Sequence, residues 1–217
     1  NLVKTDIIFI STTHEYLSKY ATLSLENNIH TFVEKPGGIN LKAIEDIKNI
    51  YCKKKNLGLY FGFNHRFHPA VLALKENLSR LKEGDTIKSI RANYGHGGRK
   101  NYHKEWRMDR KKSGGGELLD QGSHLIDLVH YLTNKSYSIE YSNLRNIFWG
   151  GEVEDNALMI LKSKDYETIA NLNASWTEWK NKFIFEVFTN QKQFVINGLG
   201  GSYGTESLTI YEMRKEM

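Results

Sequence analysis

The first 63 residues alternate between short apolar runs and helical patterns, and this alternation constrains the fold more than any other feature. The apolar runs at 6–10, 31–33 and 57–63 have strand length, and the two segments between them carry apolar residues at helical spacing. Alternation with short turns predicts right-handed strand–helix–strand units on a parallel sheet. Because such sheets are normally covered on both faces, we expect the first strand to be buried on both sides.

After residue 67 the pattern becomes dominated by strands. Helices are predicted over 69–81 and 117–132, and strands over 87–94, 138–141, 156–161, 168–174, 183–189, 194–196 and 207–211. Alternation of polar and apolar residues in several of these strands is typical of an antiparallel sheet with one covered face. The sequence therefore predicts an α/β chain: a parallel βαβαβ unit over 1–64, followed by an α+β unit over 65–217.

Composition excludes several classes of protein. The chain is 40% hydrophobic over 217 residues, enough for a globular core. No apolar run approaches the roughly 20 residues that cross a bilayer, so we expect no membrane partner. Cys52 is the one cysteine and excludes an intramolecular disulfide. With no signal peptide recognisable at the start, this favours a cytoplasmic location.

Polar side chains follow each of the three predicted parallel strands. The segments 11–14, 34–36 and 62–67 occupy the carboxyl ends, where ligands bind to sheets of this kind. Lys35 is the side chain best suited to chemistry there. A partly buried lysine can transfer a proton or polarise a hydroxyl group. The alternative is a solvated lysine in a turn, next to Pro36.

A second cluster of polar residues lies in the segment 114–127. On the predicted helix, Asp120, His124 and Asp127 fall at positions i, i+4 and i+7. A carboxylate one turn from an imidazole would fix its tautomer and raise its basicity, as a general base for a sugar hydroxyl requires. Gly122 within a helix costs about 1 kcal/mol relative to alanine, which close approach of a ligand or backbone would explain. A structural His–Asp pair, or a metal site that also includes His130, remain alternatives.

Four segments in chain order resemble the glucose-fructose oxidoreductase / inositol dehydrogenase (Gfo/Idh/MocA) family of oxidoreductases. They are 34–36, 62–67, 106–107 and 114–127, and the resemblance extends over nearly the whole chain. It implies a partial Rossmann domain followed by an α+β domain with a large open, mostly antiparallel sheet. It also implies NAD or NADP as cofactor, no metal ion, and oxidation of a secondary hydroxyl of a sugar, cyclitol or nucleotide sugar by hydride transfer.

The resemblance implies roles for individual residues. Lys35, Asp120 and His124 would be catalytic and contact the substrate, with His124 as the general base and Asp127 as a support. The cofactor-binding residues would be Thr12, Glu34, Lys35, Pro36, Asn64, Trp106 and Arg107. The open sheet implies a homo-oligomer, a dimer or tetramer. Two other functions remain open: a non-catalytic sugar-sensing or regulatory relative, and a metal-dependent sugar isomerase or hydrolase.

The chain departs from the family pattern in its first half. The Gly-rich phosphate-binding turn and the acidic residue that reads the ribose should precede Asn1, and the run 198–201 is no substitute because Tyr203 stands where a third glycine belongs. Thr13 stands where the family often has proline. We expect a chain truncated at both ends that binds dinucleotide poorly alone. An uncovered sheet face and unpaired edge should make it poorly soluble or dependent on a partner.

The loop 99–112 is strongly basic. Seven cationic side chains face two acidic ones, Glu105 and Asp109, and the loop leads directly into the glycine-rich cluster. We therefore expect it, with Tyr102 as a substrate contact, beside the pocket. An anionic substrate such as a nucleotide sugar or sugar acid would suit these charges, and a solvated mobile loop is the alternative. Nucleic acid is not expected as a partner, because no helix-turn-helix or RNA-recognition signature is present.

Overall fold

The computed structural model describes residues 5–54 and 56–213, which form two sheets and their helices. The first unit contains β1 (Ile7–Ile10), α1 (His14–Glu26), β2 (His30–Val33), α2 (Leu41–Tyr51) and β3 (Leu59–Phe61). The second contains α3 (Pro69–Ser79), β4 (Ile87–Gly95), α4 (Arg110–Ser113), α5 (Ser123–Thr133), β5 (Tyr137–Arg145), β6 (Asn156–Ser163), β7 (Ile169–Ser175), β8 (Lys182–Thr189), β9 (Lys192–Asn197) and β10 (Ser207–Glu212). A π-helical turn, Leu118–Gly122, precedes α5 and is called the π turn below.

The first unit is the predicted parallel βαβαβ arrangement, with strand order β1-β2-β3. Its helices form where apolar residues recur at helical spacing: Leu17, Ala21 and Leu25 on α1 are fully buried against the sheet. The predicted N-cap is confirmed, since Asn40 Oδ1 accepts a hydrogen bond of 2.9 Å from the backbone N–H of Ala43. The helices therefore fix which edge of the sheet carries the strand ends.

The second face of the small sheet is exposed. The side chains of Ile7, Phe9 and Tyr60 are 57%, 73% and 67% exposed, while Ile10 and Val33 point into the core. The prediction that β1 is buried on both faces is therefore wrong for the described residues, because α1 and α2 pack on the same side. The uncovered face that we expected is present.

The second unit is built on a seven-stranded sheet with strand order β10-β9-β8-β4-β7-β6-β5. Only the β4–β7 pair is parallel among its described strands, which confirms a large, mostly antiparallel sheet. One face packs against α3 and α5. Its core includes Phe183, Phe185 and Val187 of β8, which alternate with outward-facing residues as the sequence predicts.

Within the described ranges, no helix combines the length and apolar character that crossing a membrane requires. The longest, α1, has 13 residues and carries charged side chains along its exposed side. The fold instead directs its apolar helix faces onto the two sheets. Polar side chains gather where the carboxyl ends of the parallel strands approach the π turn.

Candidate active site

An ion pair joins the two units of the fold. Lys35 follows β2, and its Nζ lies 2.5 Å from Oδ1 of Asp120 and donates a second bond of 2.7 Å to the backbone carbonyl of Asp120. The side chains are only 15% and 17% exposed. Two of the predicted catalytic residues, far apart in sequence, are thus in direct contact, and Lys35 is not the solvated turn residue of the alternative interpretation.

Asp120 is an ionised carboxylate held by two cations. Its second oxygen, Oδ2, lies 3.4 Å from Nε of Arg107. Burial alone would raise the pKa of Asp120, but the charges of Lys35 and Arg107 and the hydrogen bond from Lys35 outweigh burial and lower the pKa below its usual value. The site therefore has a fixed negative charge at its centre, with both carboxylate oxygens engaged.

His124 is neutral and buried. Its ring is stacked on that of His65, with 3.8 Å between centroids, and its Nδ1 has no hydrogen-bond partner among the described residues. Burial, followed by the fields of His65 and Lys35, lowers the pKa of His124 to about 2. Asp120 makes no hydrogen bond to Nδ1 of His124, so the expectation that it fixes the tautomer is wrong; its charge does raise the pKa of His124, as expected, but burial outweighs this effect.

The segment around Asp120 is a π turn rather than the continuous α-helix that the sequence predicts. Asp120 is directed instead toward Lys35. Gly122 lies near β7: an added Cβ would be 3.1 Å from Leu118 Cδ1 and 3.7 Å from Ala174 Cβ. The close approach at Gly122 is thus made by the protein's own side chains.

Asp127, expected to act as a support, contacts Arg66. It accepts hydrogen bonds from Nε and Nη2 of Arg66, the first at 2.8 Å, and so ties the turn Asn64–Phe67 to α5. His130 Nδ1 lies 2.9 Å from the backbone carbonyl of Lys135. The alternative metal site of His124, Asp127 and His130 is not formed, and the described residues contain no other cluster of three or more such ligands.

A pocket of about 260 Å³ opens over the ion pair. All four predicted substrate residues line it, and its lining comprises Lys35, Tyr94, His96, Arg99, Tyr102, Glu105, Arg107, Asp120, Gln121, His124 and Tyr203. Sequence reasoning missed Tyr94, His96, Gln121 and Tyr203. Tyr94 and His96 stand at the end of β4, just before the basic loop, which was a usable signal. Tyr203 comes from a turn before β10 that carries no such signal.

The predicted cofactor residues share one edge of the small sheet. Thr12, Glu34 and Asn64 follow β1, β2 and β3, whose carboxyl ends lie side by side. Pro36 follows Lys35 through a cis peptide bond. Their contact with a cofactor stays a prediction.

Trp106 and Arg107 lie on the other side of this edge. Trp106 packs edge-on against His14 at 4.9 Å, and His14 Nδ1 lies 2.9 Å from the carbonyl of Ser113. Arg107 pairs with the Asp120 carboxylate, as described above. These contacts bring the basic loop against the start of α1, beside the strand ends.

Acidic partners offset much of the charge of the basic loop. Only Arg99 and Arg107, of its seven cations, line the pocket, and Glu105 lies between them at 2.6 Å and 3.9 Å. Arg110 donates to the backbone carbonyl of Glu152, and its own N–H donates to the Glu152 carboxylate. The loop is thus ordered by these contacts, and the pocket is closer to neutral than the sequence indicated.

Two glycines let the segment before the π turn pack closely. Gly114 has φ +83°, and an added Cβ would lie 2.4 Å from the carbonyl oxygen of Ile39. At Gly116 an added Cβ would lie 1.9 Å from the carbonyl oxygen of Glu154, whose Oε1 accepts from the Gly116 N–H at 2.9 Å. The glycine run is therefore a close-packed support for the site.

We expect Gly116→Ala to destabilise the protein by about 1–3 kcal/mol, because the methyl group must push the Glu154 backbone away from the π turn. Urea unfolding gives the change in free energy. Gly115→Ala is the control: its Cβ would have no neighbour closer than 3.4 Å, so a change within about 0.5 kcal/mol is expected. Equal effects of the two variants would contradict this account of the glycine run.

Comparisons with known proteins identify the family of the chain. The family model for the GFO/IDH/MocA C-terminal domain matches residues 76–203. The 1,5-anhydro-D-fructose reductase of Ensifer adhaerens is 27% identical over 130 residues, 59% of this chain and 38% of the relative. Glucose-6-phosphate 3-dehydrogenase of Bacillus subtilis (strain 168) is 26% identical over 177 residues, 80% of this chain and 47% of the relative. The chain spans less than half the length of either relative.

Solved structures show the same fold. Levoglucosan dehydrogenase in complex with NADH and levoglucosan superposes with a TM-score of 0.82 at 20% identity, covering 96% of this chain and 61% of that one. An NAD binding oxidoreductase from Klebsiella pneumoniae gives a TM-score of 0.83 at 16% identity, covering 97% and 57%. Because the family model matches more than half of its residues, the chain belongs to the GFO/IDH/MocA family.

Proposed function

We propose that the protein is an NAD(P)-dependent oxidoreductase that transfers a hydride from a secondary hydroxyl of a sugar or cyclitol. The observation that carries the proposal is the pocket in which Lys35, Asp120 and neutral His124 meet beside the strand ends of the parallel sheet. Two relatives, the 1,5-anhydro-D-fructose reductase and the glucose-6-phosphate 3-dehydrogenase, are named for sugar substrates. A protein that only senses a sugar would not need both a buried cation and a neutral imidazole directed at the same hydroxyl of its ligand.

The strand ends fit a dinucleotide. Thr12, Glu34 and Asn64 line one edge that runs to Lys35, and Gly62 lets the Glu34 carboxylate pack there, since a Cβ added at Gly62 would lie 2.9 Å from Glu34 Oε2. We propose that these residues and Pro36 hold the dinucleotide, with Trp106 and Arg107 near its reactive end. The bound nicotinamide supplies the hydride acceptor. Levoglucosan dehydrogenase, which has a similar fold, was solved in complex with NADH.

Proton removal from the substrate needs both Lys35 and His124. The low pKa of His124, which burial causes, keeps the imidazole neutral, so it is in the form that can accept a proton. A base with so low a pKa is weak in the free pocket. We therefore propose that the Lys35 ammonium, oriented by Asp120, stabilises the developing alkoxide while His124 takes the proton.

The charge of the pocket favours a neutral ring as the bound portion of the substrate. Three cations, Lys35, Arg99 and Arg107, face the two carboxylates Glu105 and Asp120, and the pairs are already formed. A hydroxyl-rich ring can bind such paired charges through hydrogen bonds. We therefore propose a neutral sugar or cyclitol rather than the nucleotide portion of a nucleotide sugar as the occupant.

The outer face of the large sheet is the proposed contact between protomers. Leu158 and Ile169 are 38% and 46% exposed on a face that no described helix covers. Side chains that pair across β6 and β7 would bury this face in a dimer or tetramer.

Calorimetric titration of NAD and NADP, followed by a turnover assay on a panel of neutral and phosphorylated sugars and cyclitols, tests the proposal. The assay uses the longest polypeptide that the gene encodes. Binding of either dinucleotide with turnover of a neutral substrate is the expected result. If neither dinucleotide binds, the oxidoreductase proposal is wrong, and a sugar-sensing function takes its place.

A further inference from the structure

A carboxylic acid that the proposed chemistry does not use lies beneath the pocket. Glu117 immediately precedes the π turn, is 0% exposed, and neither of its carboxylate oxygens has a hydrogen-bond partner among the described residues. It does not line the pocket, but Asp120 and Gln121, which follow it in the π turn, do. Glu117 is therefore placed to act on the pocket through these two neighbours.

The surroundings of Glu117 disfavour a negative charge. The groups whose charges act on its carboxyl, or on which it acts, are Asp120, Glu154, Lys35, Tyr94, Tyr102 and Tyr203. Only Lys35 is cationic, and it already donates twice to Asp120. Burial, and then the Asp120 carboxylate, raise the pKa of Glu117 well above its usual range, and Lys35 and the backbone of Gln121 offset this only in part.

An un-ionised acid and Gln121 have complementary groups. The Gln121 amide donates to the Tyr203 hydroxyl at 2.9 Å, while its Oε1 is buried and unpartnered. A protonated carboxyl has an O–H that can donate, whereas an ionised one has only acceptors. The neutral form of Glu117 therefore brings a donor into a region with an unpartnered acceptor, whereas the charged form adds only further acceptors.

We propose that Glu117 is a positioning residue: an un-ionised carboxylic acid beneath the pocket that leaves Lys35 committed to Asp120 and Gln121 directed at Tyr203. Its effect on turnover rests on the proposed function, but its protonation does not. Ionisation of Glu117 would place a second carboxylate next to Asp120 and draw Lys35 away from it. The ion pair of the site, and with it the proposed activity, is then lost as the pH rises through the raised pKa of Glu117.

Infrared spectroscopy tests the protonation state. The wild-type protein near neutral pH is expected to show the C=O band of a protonated carboxylic acid, and Glu117→Gln should remove that band. Glu76→Gln is the control: Glu76 is an exposed helix residue paired with Arg80, so its loss should remove a carboxylate band instead. A Glu117→Gln spectrum that loses only a carboxylate band overturns the proposal.

The pH dependence of stability gives a second measurement. The pKa of Glu117 is higher in the folded protein than in the unfolded chain. The stabilisation that Glu117 contributes is therefore complete below its unfolded pKa of about 4.3 and is lost as the pH rises through its folded pKa. Above about pH 4.3, the folding equilibrium constant of wild type should fall up to about tenfold per pH unit relative to Glu117→Gln. If the stability of wild type and of Glu117→Gln changes with pH in the same way, Glu117 is not un-ionised and the proposal is wrong.

Turnover measurements distinguish a positioning role of Glu117 from a purely structural role. Wild type should lose kcat as the pH rises through the raised pKa of Glu117, and Glu117→Gln, which is neutral at every pH, should retain kcat over the same range. Glu117→Ala should lower kcat across the range because it removes support for Gln121. Unchanged pH profiles in Glu117→Gln overturn the positioning role even when the infrared band is lost. Absence of turnover in wild type, with the band present, refutes the proposed function and the positioning role but leaves the un-ionised acid established.

Discussion

Replacement of Lys35 by methionine should destabilise the protein by about 3 kcal/mol, because it leaves a buried carboxylate with one cation fewer. Lys35 and Asp120 are 15% and 17% exposed, so water cannot replace the ammonium fully. Arg107, 3.4 Å from Oδ2, still offsets part of the charge and keeps the loss at the lower end of the range for broken buried pairs. Urea unfolding at near-neutral pH measures the difference.

A double-mutant cycle isolates the pair itself. Asp120→Asn and the combined variant complete the cycle, and a coupling of about 1–3 kcal/mol is expected for residues in direct contact. Lys42→Met is the matched control, since Lys42 is exposed on α2 and should change stability by no more than about 0.5 kcal/mol. Additive effects of the Lys35 and Asp120 variants would show that the contact contributes nothing in solution.

The first unit was predictable from the sequence because its signals are local. Helical spacing on α1, a capping side chain at Asn40 and short turns depend on residues near one another in the chain. These signals fix a parallel βαβαβ order directly. They say nothing about which face the helices cover, so an uncovered face could be expected but the exposure of Phe9 and Tyr60 in particular could not.

The sheet order of the second unit was not predictable. Alternation in β4, β7 and β8 shows which side chains face inward, but the pairing of β4 with both β7 and β8 joins segments about 80–100 residues apart. The π turn also depends on a contact between segments that are distant in the sequence. It forms where Gly116 packs on the Glu154 backbone, a contact that helical spacing cannot reveal.

The site shows the same division between local and long-range information. Lys35, Asp120 and His124 were found because they lie in short recognisable segments, and the structure brings them into one pocket. The contacts were not predicted correctly: Asp120 contacts Lys35 rather than His124, and the pairing of Asp127 with Arg66 was not predicted. Residue type and spacing identified the members of the site, but only the packed fold determines which of them touch.

Replacement of His124 by asparagine should lower kcat by about 10²–10⁴-fold, the range typical of a lost general base, while dinucleotide affinity stays unchanged. Asparagine is chosen because it keeps a polar side chain of similar reach in a buried position. His130→Asn is the control: His130 is on the same helix, is exposed, and lies outside the pocket. Steady-state kinetics on the substrate found in the panel give kcat and KM.

The pH profile distinguishes a neutral His124 from an ordinary histidine. Burial lowers the pKa of His124 to about 2, so the imidazole stays neutral from mildly acidic to alkaline pH. The profile of kcat/KM for the free enzyme should therefore show no acid limb from His124 near pH 6.5, the usual value for this side chain. An acid limb near about pH 6.5 that His124→Asn abolishes would contradict the buried, unpartnered environment described for this ring. Its absence, with a large loss of kcat, would show that the base works from the neutral state and depends on Lys35 to acidify the hydroxyl.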